Sequence, residues 1–70
     1  MDRAEALGKV RKLLARAEAC PPDVWDITVD EEAFIVSVCE LFEIEVPVSV
    51  FESSEAASQF LKLLEAAIKP

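Results

Sequence analysis

Apolar residues recur along this chain at intervals of three and four, and prolines divide them into three blocks. That period places the apolar positions on one face of a helix, whereas a strand would alternate at two. The expected fold class is therefore all-α, a small three- to four-helix bundle in a single domain spanning residues 1–70.

The organising stretch is DEEAFIVSVCELFEIEVP, Asp30 to Pro47, with an acidic start, an apolar run and a closing proline. Just before it, Thr28-Val29-Asp30-Glu31 has the form of a capping box: the Thr28 hydroxyl accepts from the Glu31 backbone and the Glu31 carboxylate reaches back. Asp30 is an alternative cap. The helix is expected to run to Phe42 or Glu43, with Phe34, Ile35, Val38, Leu41 and Phe42 as its apolar stripe. Val36 and Cys39 lie beside that stripe, leaving Glu32, Ser37, Glu40 and Glu43 outside. A helix apolar over more than half its circumference is expected at the centre of the bundle, touching both neighbours.

A first helix is predicted from Asp2 to Ala19. Its stripe is Leu7, Val10, Leu14 and Ala17, widened by Leu13. It carries Arg3, Lys9, Arg11, Lys12 and Arg16, most of the chain's cations, either as a solvated face complementing acids within the fold or as a binding patch. Pro21-Pro22 ends it, because a proline disfavours helix in the residue before it and lacks a backbone donor. Trp25, in the loop that follows, either folds back to cap the core or stands out as an anchor for a partner. Pro47 keeps Val46 extended, and Val48, Val50 and Phe51 are expected to tuck inward as a short turn. Ser53 or Ser54 then caps a last helix whose stripe is Phe60, Leu61, Leu64, Ala67 and Ile68, with Lys69-Pro70 at its end.

Composition narrows the function classes. The net charge is -7, with 14 acidic residues against 7 basic ones, which argues against nucleic acid and against an anionic membrane surface. It favours basic protein partners, which an acidic field steers into encounter, and it also keeps a small domain in solution. No apolar run is long enough to span a bilayer, and MDRAEALGKVRKLL lacks the unbroken apolar core of a secretory signal. A free cytoplasmic protein beginning at Met1 is the expectation, with Cys20 and Cys39 reduced. There is no histidine in the sequence, so neither a Ser-His nor a Cys-His nucleophile can be built, and without a CxxC pair zinc is not expected. The many carboxylates lack EF-hand spacing and read as solvated helix faces. No catalytic residue and no metal ligand is assigned, and an enzyme is not expected.

From Asp30 onward the chain resembles the acyl carrier proteins, which are small acidic helical domains. The resemblance rests on Glu40 to Pro47, ELFEIEVP, which is similar to the end of that family's second helix, and on Ser54 to Leu64, SEAASQFLKLL, which is similar to the start of its last. It implies a carrier-like fold with a shortened loop between the first two helices. Carrier proteins attach 4'-phosphopantetheine to the serine of an Asp-Ser-Leu motif at the start of the second helix. Counting back from Pro47 puts Ile27-Thr28-Val29 there, so threonine stands where the family has serine and isoleucine where it has aspartate. Thr28 keeps a hydroxyl but adds a methyl beside it. It is either a helix cap or an atypical attachment site, and no cofactor is expected unless it is the latter. The resemblance also implies a docking surface on the second helix, made of Glu31, Glu32, Glu40 and Glu43 with Val29 and Val36 as apolar anchors.

Three readings follow. The first is an acidic, non-enzymatic, carrier-like module that docks on a basic surface of a partner protein without a phosphopantetheine arm. The second is an atypical carrier modified at Thr28. The third is a structural or regulatory subunit that buries apolar surface in an oligomer, including a homo-oligomer.

Overall fold

A computed structural model describes residues 2–69 as three α-helices and two single 3-10 turns. Met1 and Pro70, the latter expected with Lys69 at the end of the last helix, lie outside the described residues. Helix α1 spans Arg3–Ala19, α2 Val29–Leu41 and α3 Ser54–Ile68; the 3-10 turns are Pro22–Val24 and Val48–Phe51. The Cα radius of gyration is 11.0 Å, equal to the roughly 11 Å expected for a compact chain of this length.

Each helix begins where the local chemistry requires. Asp2 caps α1, its carboxylate accepting from the Glu5 backbone at 2.7 Å. The capping box at α2 is complete: Thr28 Oγ1 accepts from Glu31 N at 3.1 Å, and the Glu31 carboxylate accepts from Thr28 N at 2.9 Å. Ser53 caps α3, accepting from Ala56 N. Cys20, directly before Pro21, takes the extended backbone that a following proline imposes, and α1 ends there.

Pro47 does not stop α2. The helix ends at Leu41, and Phe42 is its C-cap. Glu43 then adopts φ 57, the left-handed region. Ile44 N donates to Cys39 O at 2.7 Å and Glu43 N to Glu40 O at 3.3 Å, the paired bonds of a Schellman motif. Glycine ordinarily holds that left-handed position, and the chain's single glycine, Gly8, sits instead in mid-α1 with open space around it.

The expectation that the second helix lies at the centre is corrected. The closest backbone approaches are those of α3 with α1 and with both 3-10 turns. Small side chains explain this: Ala6 and Ala17 on α1 and Ala57 on α3 are fully or almost fully buried, and small contact residues let helix axes approach. Helix α2 adds Ile35, Val38 and Cys39 to the same core, flanked by the bulkier, half-buried Phe34 and Phe42.

The buried faces keep most of the predicted stripes, Phe60, Leu61, Leu64 and Ile68 on α3 among them, and differ at the edges. On α1 the buried residues are Ala6, Val10, Leu13 and Ala17, with Leu7 and Leu14 half-buried at the flanks. On α3 Ala57 is inside and Ala67 is exposed. Leu41, expected inside α2's stripe, is 58% exposed, because the chain turns away at Phe42 and nothing covers the last helical residue. In the second turn Val50 is fully buried and Phe51 half-buried, but Val48, expected to tuck inward, is 70% exposed. Trp25 folds back into the core, and its indole Nε1 donates to Val50 O at 3.0 Å.

Gly8→Ala and Glu43→Gly should each raise stability by about 1 kcal/mol, the first through helix propensity and the second by relieving the left-handed strain. Urea unfolding of the two variants and of their combination checks this. The sites are distant, so the two gains should add.

Candidate functional site

The N-terminal end of α2 is held by one side chain from α1. Arg16 Nε donates to Glu31 Oε2 at 2.8 Å, and Arg16 Nη2 donates to Glu31 Oε1 and, at 3.0 Å, to the carbonyl of Asp26. The guanidinium also lies over the Trp25 ring, 4.6 Å from its centroid. The same Glu31 carboxylate thus closes the capping box and pairs bidentately with Arg16. Burial of this carboxyl works to raise its pKa. The Arg16 hydrogen bond, the Thr28 backbone and side-chain bonds and the Arg16 charge outweigh that and hold it below the ordinary 4.5.

The opposite face of α2 is open. Val29, Glu32, Ala33, Val36, Ser37 and Glu40 line a shallow groove along it. Their spacing of three and four residues puts them on one helical face. Val29 is 82% exposed, well beyond a partly covered valine. Four of the predicted docking residues, Val29, Glu32, Val36 and Glu40, therefore share a surface. Glu43 is exposed beyond the helix end, in the left-handed turn. Glu31 faces α1 and is engaged by Arg16, so it is not on that surface.

Two other connections bear on this end of the molecule and have no local sequence signal. The Ser54 hydroxyl, buried at 2% exposure, donates to Cys20 O at 2.9 Å and pins the start of α3 to the end of α1. The Trp25–Val50 bond links the two turns. Among the described residues, no buried side-chain nitrogen or oxygen lacks a partner. Cys20 and Cys39 are free thiols, and burial pushes the Cys39 thiol up.

Thr28 is exposed at the helix start, but its surroundings do not fit a phosphodiester. Its oxygen is the acceptor of the cap, and the Glu31 carboxylate lies against its own backbone N–H. A phosphate on that oxygen would stand beside a carboxylate and compete with it for Arg16. Among the described residues, no group of three or more histidine, cysteine, aspartate or glutamate side chains is placed to hold a metal ion. Among the described residues, no helix is long and apolar enough to cross a membrane. Comparisons with protein-family models, curated proteins and solved structures find no match to this chain.

The lowered pKa of Glu31 sets a sign. Its contribution to stability is fully present above the ordinary value of 4.5 and is lost as pH falls through the depressed folded value. Glu31→Gln keeps an amide oxygen for the capping box but removes the charge. At neutral pH the variant should be less stable by about 1 kcal/mol, since the pair is bidentate but partly exposed. The gap to the native chain should close below pH 4.5. Thermal unfolding of both proteins across that range measures it.

Proposed function

We propose that this chain is an acidic, non-enzymatic docking module of the acyl-carrier-like kind, working without a phosphopantetheine arm. It binds a basic surface of a partner protein through the outer face of α2. The observation that carries this reading is the open groove of Val29, Glu32, Ala33, Val36, Ser37 and Glu40, with exposed valines between carboxylates. Apolar anchors flanked by one sign of charge suit a partner presenting cations around a small apolar contact: the charges steer encounter and the valines lose water on contact. The net charge of -7 extends the same field over the molecule. A cytoplasmic setting, where the two thiols stay reduced, agrees with this reading.

A second reading, an atypical carrier modified at Thr28, has one observation in its favour: that hydroxyl is exposed at the N-terminus of α2, where the family resemblance places the attachment serine. The crowding by Glu31 weighs against it.

Two measurements separate these readings. A synthetic Lys/Leu amphipathic peptide titrated into the isotope-labelled protein should shift the amides of Val29 to Glu40 in a salt-dependent manner. The double variant Glu32→Lys/Glu40→Lys should weaken it by about tenfold, the sum of two partly exposed charge contacts. Shifts confined to α1 and α3 would remove the docking reading. Co-expression with a broad-specificity phosphopantetheinyl transferase should leave the intact mass unchanged; an added prosthetic group would establish the carrier reading instead.

A further inference from the structure

In this acidic chain, a groove of about 340 Å³ between α1 and α2 is lined by more cations than carboxylates. Leu13 and Phe34 supply its apolar floor, and Lys9, Lys12 and Arg16 line it from α1. Two carboxylates, Asp30 and Glu31, line it from α2. Glu31 is neutralised by its bidentate pair with Arg16, so the remaining balance is Lys9 and Lys12 against Asp30. Lys9 is held only by an exposed pair with Glu5, at 3.5 Å, and lies 5.7 Å from the Phe34 ring centroid. Lys12 is exposed and, among the described residues, forms none of the ion pairs that engage Lys9, Arg11, Arg16 and Lys62.

We propose that this groove binds a small amphiphilic organic anion, its anionic head group on Lys12 and Lys9 and its apolar body on Phe34 and Leu13. Side chains three apart on a helix stand about 5–6 Å apart at Cβ, close enough for two ammonium groups to share one oxyanion. The groove is at the lower end of the roughly 300–1,000 Å³ typical of ligand pockets, which restricts the ligand to a short aryl or alkyl chain. A cationic ligand meets Lys12, which has no ion pair among the described residues, and Lys9, held only by its exposed pair with Glu5, against one carboxylate, and is disfavoured. The site is separate from the outer face of α2 and does not depend on how that face is used.

The test is titration of the isotope-labelled protein at low ionic strength with 4-phenylbutyrate, with 4-phenylbutylamine as the cation of matched body. The carboxylate should bind with Kd of about a millimolar, as expected for so few atoms in an open groove. Amide shifts should be confined to residues 9–16 and 30–34, and the amine should not saturate. Lys12→Glu, an exposed change checked for unaltered circular dichroism, should weaken binding by about tenfold. No saturable shift with the carboxylate, equal binding of the amine, shifts centred elsewhere, or unchanged affinity in Lys12→Glu would each overturn the assignment. Binding of a Glu-rich peptide in place of the phenylbutyrate would also overturn it, in favour of an acidic protein segment.

Discussion

The guanidinium of Arg16 is the interaction on which the arrangement of α2 depends. It reaches from α1 to the Glu31 carboxylate and the Asp26 carbonyl, and it covers the Trp25 ring. A planar, always-charged fork can do all of this at once; a lysine ammonium offers neither the bidentate geometry nor the flat face. Trp25 in turn donates to Val50, so the chain's two irregular connections are tied to each other and, through Arg16, to two helices. Helix α2 needs this support because its backbone stands off from the tight α1–α3 pair, and its inward side chains alone leave its start underdetermined.

The features legible in the sequence are those set by neighbours in the chain. The caps at Thr28 and at Ser53, one of the two serines expected there, depend on a side chain and a backbone N–H three residues on, and both form; Asp2, expected as the first helical residue, caps α1 in the same way. The end of α1 before Pro21 and the burial of Val10, Ile35, Val38, Leu61 and Leu64 follow from local sterics and from period. Periodicity does not determine rotation about the helix axis to within one residue. Period alone therefore does not reveal Ala6 or Ala57, sets Leu7 and Leu14 too deep, and includes the exposed Ala67. Apolarity also misled about centrality. Helix α2 is the more apolar, but the alanines of α1 and α3 decide which axes come closest. The Ser54–Cys20 bond spans 34 residues and Arg16–Glu31 spans 15, and no local pattern announces either.

The charge of the molecule is divided by this geometry rather than spread evenly. The cations of α1 are largely answered within the fold: Arg11 meets Glu65, Arg16 meets Glu31 and Lys9 meets Glu5. The expectation of a basic face complementing neighbouring acids therefore describes most of α1. The acids of α2 separate into two populations. Glu31 is drawn inward by Arg16, while Glu32 and Glu40 line the open outer groove beside exposed valines. One helix thus presents a satisfied edge to its own fold and an unsatisfied one to whatever approaches.

That division bears on Thr28. A threonine at a helix start is explained by its cap, worth about 1 kcal/mol, and here the cap is tied to a second bond because Glu31 serves both Thr28 and Arg16. Any group carrying negative charge on the Thr28 oxygen would meet the Glu31 carboxylate and draw Arg16 from it. The loss would not stop at the cap, since Arg16 also orders Asp26 and Trp25. Modification at this position would therefore act against the contacts that hold α2 in place. A docking surface on the far side of the same helix makes no such demand, because Val29, Glu32, Val36 and Glu40 contribute nothing to the Arg16 cluster.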